Sequence, residues 1–207
     1  MRSLQNLFAV FPVIESERLI LRQLTSEDAT DFFACQSDPE VFRYAGRSEE
    51  TSLESARHML NILFQRHQEQ TMLSWAIVLK ENQRFIGRFQ MEEWSDENHR
   101  AAVGYLLGKQ YWGKGYATEA LRAVIAYLFA QTTVNRIDTF AWSENIASVR
   151  VMEKAGMRFE GVARQKRFAK GAFRDLKIYA LLREDFFNEE GHRSCRNCSQ
   201  QENVKFL

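Results

Sequence analysis

The sequence predicts a mixed α/β domain built on one sheet, antiparallel in its early strands and carrying a parallel strand–helix–strand unit in its middle. Two strand-like runs, residues 73–79 and 84–91, are separated by Glu81-Asn82-Gln83, which suits a hairpin. From residue 101 onward the order becomes strand, helix, strand, helix, and a helical crossover is what joins parallel neighbours. The apolar share, 45% of 207 residues, is ordinary for a globular chain and fills one sizeable core.

Arg18-Leu19-Ile20-Leu21-Arg22 reads as the first strand. Thr25-Ser26-Glu27-Asp28 gives a hydroxyl cap and first-turn acids to a helix carrying Ala29, Phe32 and Phe33. Asp38-Pro39-Glu40 predicts a second short helix, since proline suits a first helical position. Ala56, Met59, Leu60, Leu63 and Phe64 recur at helical spacing and predict a longer one. After the hairpin, residues 94–100 read as a polar loop and residues 101–107 as a strand. Ala117, Leu121, Val124 and Leu128 form the apolar stripe of the next helix. Residues 136–142 are a strand, and Asn145 caps a helix ending at Ala155, with Gly156 just beyond it. The last two strands, residues 157–168 and 173–182, meet at a turn containing Gly171. The domain is expected to occupy residues 1–187. From residue 188 large apolar side chains nearly vanish until Phe206, so 188–207 is expected to be a polar, flexible tail.

Composition narrows the function. The net charge is +1 with both signs interspersed, unlike a dedicated nucleic-acid binder. No run approaches the roughly 20 apolar residues of a membrane span, and no export signal is read at the start, so a cytoplasmic setting is expected. Three cysteines make no disulfide framework. His192-x-x-Cys195-x-x-Cys198 lacks the fourth ligand of a structural zinc site, so no metal is expected. Cys35 lies on an apolar helix face and is assigned to the core. Arg164, Lys166, Arg167, Lys170 and Arg174 gather around the last hairpin, either as a solvated face or as a surface for an acidic protein or an RNA-rich particle.

The richest segment is Gly108-Lys109-Gln110-Tyr111-Trp112-Gly113-Lys114-Gly115-Tyr116-Ala117, where a strand enters a tight glycine turn and leaves as a helix. Such a turn aims backbone N–H groups at one point and adds the positive end of the helix, which makes an anion site. Gly108 to Lys114 spells most of a nucleotide-triphosphate phosphate loop, but Gly115 stands where its magnesium-binding hydroxyl belongs. The dinucleotide fingerprint fails too, since its third glycine falls on Thr118. A turn that only closes a strand–helix unit is the remaining alternative.

Gln110-x-x-Gly113-x-Gly115, behind Val103-Gly104-Tyr105 and before Ala117-Thr118-Glu119-Ala120, resembles the acetyl-coenzyme A signature of the Gcn5-related N-acetyltransferase superfamily. Glu17-Arg18-Leu19-Ile20-Leu21-Arg22, Ser37-Asp38-Pro39-Glu40-Val41, Tyr111-Trp112-Gly113-Lys114-Gly115, Asn145-x-x-Ser148 and Glu153-Lys154-Ala155-Gly156-Met157 resemble, in order, the branch that includes the ribosomal-protein N-terminal acetyltransferases. The resemblance spans roughly residues 14–187. It implies a single, mostly antiparallel sheet in which a central parallel strand pair splays apart, with helices flanking it. It implies acetyl-coenzyme A as co-substrate, without metal, its pantetheine arm held by backbone groups at Leu106 and Leu107. The N–H groups of Tyr111, Trp112, Gly113, Lys114, Gly115, Tyr116 and Ala117 would hold the pyrophosphate, and Gln110 and Asn145 would also contact the cofactor. The amine would attack directly, through a tetrahedral intermediate stabilised by a strand N–H.

The leaving thiolate has an intrinsic pKa of about 8.5, so a nearby donor helps it depart. Many family members carry a tyrosine at the position of Met152, which cannot donate; Ser148 is the substitute that the resemblance implies. For the incoming amine, Glu92, Glu93 and His99 flank the strands expected to line the acceptor cleft, and Glu92 is the chosen base. All three also suit solvated loop positions. Glu119 is assigned to the helix dipole. The acceptor is either a protein N-terminus, towards which the resemblance leans, or a small amine such as an antibiotic or polyamine. A non-catalytic acyl-coenzyme A module and a homodimer are both compatible with the sequence.

Overall fold

The residues that repeat every second position build the sheet, and that alternation decides which helices each face meets. In the computed structural model, residues 2–188 are described. β1 (Ile14–Glu15), β2 (Leu19–Gln23), β3 (Leu73–Leu79), β4 (Phe85–Ser95), β5 (Arg100–Leu107), β6 (Arg136–Trp142), β7 (Arg158–Ala169) and β8 (Ala172–Leu182) make one sheet, ordered β1-β2-β3-β4-β5-β6-β8-β7. β3 is buried along its whole length, as a central strand with both faces covered must be. Every neighbouring pair is antiparallel except β5 and β6. That parallel pair is short. Arg100, Ala101 and Ala102 face Arg136, Ile137 and Asp138, after which the two strands run on without pairing to each other.

The helices are α1 (Asn6–Ala9), α2 (Ala29–Gln36), α3 (Leu53–Gln68), α4 (Tyr116–Gln131) and α5 (Ile146–Lys154). α2 and α3 cover one face of the sheet, where Phe32 meets Phe85 at 6.1 Å between ring centroids. α4 and α5 cover the other, burying Leu121, Val124, Ile125, Leu128, Val149 and Met152. A bulge opposite Ile77/Val78 reverses the alternation in β4, so Phe85 faces α2 while Phe89 faces α4 and α5. Beyond β8 residues 183–188 are helical, and Arg183 donates to the carbonyls of Phe129, Thr132 and Val134, pinning the end of α4 to the start of β6.

Three expectations change. Asp38-Pro39-Glu40 starts no helix. Val41, Phe42 and Arg43 donate only three residues back, because Phe42 turns fully inward and the Glu50 N–H returns to Gln36 O at 2.8 Å. The polar loop shrinks, since β4 runs through Trp94 to Ser95; Trp94 packs on Phe8 and its indole donates to Gln70 O. α1 and β1 were not expected: too short for periodicity to reveal, they exist through tertiary contacts such as Leu4 N–H with Asp96 at 2.6 Å. The expected tail, with His192, Cys195, Cys198 and Phe206, lies outside the described residues.

Candidate active site

The glycine turn follows β5 directly. Gly108 N–H donates to Ile86 O at 3.0 Å, a 3-10 turn covers Lys109–Tyr111, and the Trp112 indole reaches back to Leu107 O at 2.9 Å. Gly113 (φ 74°) and Gly115 (φ 83°) then sit in left-handed backbone, which glycine adopts without strain. Gly115 caps α4, so the N–H groups of Tyr116, Ala117 and Thr118 have no acceptor inside the helix and face outward at its positive end. Nothing stands within 4 Å of where a Gly113 Cβ would be, so the turn is open towards its concave side. Gly108 has a different reason: a Cβ there would meet Cys35 Sγ at 2.9 Å. Cys35 is buried, and burial pushes its thiol up to about 12, so it packs and does not react.

Arg18 locks the outer side of the turn. Its guanidinium donates to Lys114 O at 3.1 Å and to Glu119 at 2.7 Å, and lies over the Tyr116 ring at 4.5 Å. Burial pushes the Glu119 carboxyl up, but hydrogen bonds from the Arg18 N–H, the Ser16 hydroxyl and the Arg18 guanidinium outweigh it and hold Glu119 below its usual value. The helix-dipole assignment of Glu119 therefore understates it: this carboxylate ties the β1–β2 turn to the start of α4. Beside it runs a groove of about 610 Å³ whose walls include Arg18, Gly115, Thr118, Arg122 and Lys154.

The split between β5 and β6 opens next to this turn. Backbone groups alternate between the two edges of a strand, and Gly108 and Leu106 point theirs at β4. Tyr105 and Leu107 therefore turn their backbone towards β6, into the split, where the Leu107 carbonyl already accepts the Trp112 indole. Of the two leucines singled out from the sequence, Leu106 has its edge taken by β4. Across the split, Asn145 Oδ1 accepts the Ser148 N–H at 3.1 Å as the cap of α5. Ser148 Oγ lies 3.0 Å from Tyr105 Oη, and either hydroxyl can donate. Burial pushes the Tyr105 phenol up to about 12, against the pull of Ser148, so it stays protonated. Met152 is fully buried one turn along α5.

Glu92 lies on the opposite face of the sheet from Tyr105. With Arg88 and Gln90 it forms the side of β4 that looks towards α3 and the residue 38–50 segment, and it pairs with Ala102, the last residue before the split. Asp138 is the β6 partner of Ala102, so Glu92 and Asp138 flank the closed end of the split. Phe140 and Trp142 continue that face, and Tyr44 closes over Trp142 at 6.2 Å between centroids. Glu93 and His99 sit at the far end of the hairpin in left-handed backbone, Glu93 against Arg100 at 3.9 Å. Gln110 and Lys114 are exposed on the turn, and Tyr111 is buried beneath it. The sequence reading missed Tyr105 and Arg88. The bulge in β4 reverses the alternation that would place Arg88, and nothing in a one-dimensional pattern says that α5 meets β5 at Ser148. Among the described residues no cluster of three metal-binding side chains occurs, and no helix is long and apolar enough to cross a membrane.

The comparisons agree with this geometry. Residues 18–158 match the model of the acetyltransferase (GNAT) domain. The chain is 33% identical over 174 residues to the uncharacterized N-acetyltransferase YoaA of Bacillus subtilis, covering 84% of this chain and 98% of that one. Its fold superimposes on an acetyltransferase (GNAT family) from Bacillus anthracis with a TM-score of 0.76 and 27% identity, over 84% and 99% of the two chains. A likeness of fold alone, at 22% identity and a TM-score of 0.72 over 84% and 98%, extends to a ribosomal-protein-S5-alanine acetyltransferase from Vibrio fischeri. An open glycine turn at a helix start, a parallel pair split beside it and a sequence match across both make this chain a member of the GNAT family of N-acetyltransferases.

Proposed function

We propose that the chain moves an acetyl group from acetyl-coenzyme A to a protein N-terminal amine. The residues fit the donor. The Tyr111 and Trp112 N–H groups, expected to join the phosphate site, are spent on Gly108 O and Lys109 O, whereas those from Gly113 to Ala117 suit a pyrophosphate; the groove beside Arg122 and Lys154 suits the nucleotide end, and the backbone of Tyr105 and Leu107 faces the split that a pantetheine arm would enter. One observation carries the catalytic reading: hydroxyl and carboxylate groups lie on opposite faces of the same split, Ser148 with Tyr105 on one and Glu92 on the other. Direct transfer needs that separation. The amine gives up its proton on one side while the departing thiolate gains one on the other. Ser148 is the donor in this reading, with Tyr105 donating a hydrogen bond that holds the Ser148 hydroxyl and steadies its oxygen as the proton leaves. Glu92 receives the amine proton, directly or through water.

An N-terminal amine has a pKa near 8 against roughly 10.4 for lysine, so a single partly exposed carboxylate suffices for it. The order of motifs along residues 14–187 favours the same acceptor class. The test follows thiol release from acetyl-coenzyme A with N-terminal peptides, lysine-only peptides with blocked N-termini, polyamines and aminoglycosides. Release with free N-termini alone supports the reading. Release with polyamines or aminoglycosides alone replaces it with the small-amine reading, and none with any amine, despite donor binding, with a non-catalytic module.

A further inference from the structure

We propose that the acceptor carries a carboxylate close to its amine, and that Arg88 is the residue that receives it. This rests on the reading of the chain as an amine acetyltransferase and names the chemistry of its acceptor. Arg88 projects from the middle of β4 on the acceptor face, opposite Leu106, two residues from Gln90 and four from Glu92. Among the described residues it makes no ion pair and no side-chain hydrogen bond, and its Nε is sealed from solvent without a partner.

A guanidinium left so is costly, because a partly buried charge normally finds a carboxylate or several acceptors. Burial, and Arg47 after it, push Arg88 down to about 10, so it keeps its charge at neutral pH. The charged groups around it come from three elements: Glu92 on β4 itself, Arg47 and Glu50 before α3, and Arg66 on α3. Arg47 is already committed, to Glu50 at 2.5 Å and to Gln36 Oε1 at 2.6 Å. With Arg88 itself the cluster therefore holds three cations against two anions, which suits a single negative charge. With Nε sealed in, the two Nη groups of the planar guanidinium, unbonded among the described residues, match a carboxylate end-on through two parallel hydrogen bonds.

The opposite wall is alike in sign. Arg167 lies over Phe140 at 5.1 Å and Arg174 over Trp142 at 4.9 Å, neither in an ion pair among the described residues, and Arg174 Nε is also sealed without a partner. The 38–50 segment joins the walls, with Arg167 Nη1 3.4 Å from where a Gly46 Cβ would stand and Arg47 next in sequence. Cationic acceptors such as polyamines and aminoglycosides would meet repulsion on both sides. Two sources supply the required chemistry: an acidic side chain just after the N-terminal residue of a polypeptide, or the free α-carboxylate of a small amino acid.

The test measures kcat/KM for matched pairs, one arm comparing N-terminal Ala-Glu with Ala-Gln peptides and the other free phenylalanine with phenylalaninamide. Each pair is run on the wild type and on Arg88→Gln, with thermal unfolding of both. Comparing ratios between the two proteins cancels the differing basicity of the amines. The expected result is a preference of about tenfold or more for the carboxylate in one arm, which identifies the source, roughly 1.4 kcal/mol. In Arg88→Gln that preference falls to near parity while the neutral member keeps its rate within about threefold. A wild-type ratio near one in both arms, or a ratio unchanged in Arg88→Gln, overturns the proposal. Calorimetry with N-acetylated Ala-Glu and Ala-Gln peptides reads the same site without turnover. Equal affinities there overturn the carboxylate site, whereas unequal affinities without turnover support it and remove the transferase reading instead.

Discussion

Replacing Tyr105 with phenylalanine removes one oxygen from the split and little else. The ring stays stacked on Phe89, 6.4 Å between centroids and 23° between planes, and the lost contact is a single 3.0 Å bond to Ser148. A neutral hydrogen bond of this kind contributes about 1 kcal/mol to stability, so unfolding should shift only slightly. The rate should respond more. As Ser148 gives its proton to the departing thiolate, its oxygen gains negative charge, and a hydrogen bond to a charged group is worth about 1.5–3 kcal/mol. Only the excess over the ground-state bond, about 0.5–2 kcal/mol, enters kcat, so at 1.36 kcal/mol per tenfold Tyr105→Phe should lower it by roughly 2- to 30-fold. Ser148→Ala should cost at least as much, within the roughly 100- to 10,000-fold typical of a general acid. The double variant should be no slower than Ser148→Ala alone, because the two hydroxyls act as one unit. Tyr105 is pushed up to about 12, so no limb of the pH–rate profile below that pH should belong to it. The assay is thiol release at saturating donor and acceptor, with a viscosity series to show that chemistry limits. A Tyr105→Phe rate within about twofold of wild type, or costs that multiply in the double variant, would refute the relay.

Two further predictions follow from the glycine turn. Gly115→Val places a β-branched side chain at φ 83°, a strain on the order of 1–3 kcal/mol, with its Cβ 3.5 Å from the Arg18 guanidinium that braces the turn. Calorimetry should show acetyl-coenzyme A binding weakened at least tenfold in a folded protein; unchanged affinity removes the turn as its site. Glu119, held below the usual glutamate value, contributes stability that is present above the unfolded pKa of about 4.3 and is lost as pH falls through the folded one. Glu119→Gln should therefore be less stable than wild type at pH 7, with the gap closing below about pH 4. Thermal unfolding across pH checks this, and a gap that stays constant with pH contradicts the ionic tie to Arg18.

What could be read from the chain beforehand depended on how local its cause was. β3 and β6 run over the residues expected of them, because uninterrupted apolar or alternating runs leave little choice. The α5 cap at Asn145 and the left-handed Gly156 were equally legible, since caps are local chemistry. Pro39 misled because a residue permitted at a helix start is not a helix: burial of Phe42 and the return to Gln36 decided that segment. In the candidate site, the turn from Gly108 to Ala117 was visible as a motif. The Ser148–Tyr105 contact spans 43 residues and the face that Arg88 takes depends on a bulge in β4. Neither leaves a mark at any fixed spacing.

The brevity of the β5–β6 ladder has a mechanical consequence. Among the described residues, three residue pairs, from Arg100–Arg136 to Ala102–Asp138, are the strand pairing that joins the five-stranded half of the sheet to the three-stranded half, and the Asn135 and Arg136 N–H groups add two bonds to His99 O at the same end. Farther along, the halves are coupled by side chains such as Tyr105 with Ser148 and by the helices laid across them, not by backbone. Such a seam behaves as a hinge whose opening is governed by side-chain packing, so amides of Val103–Leu107 and Thr139–Trp142 along it should breathe independently of the outer ladders. A molecule lying in the gap with amide groups of its own would act as a wedge and a splint at once, setting the angle between the half-sheets and damping their relative motion.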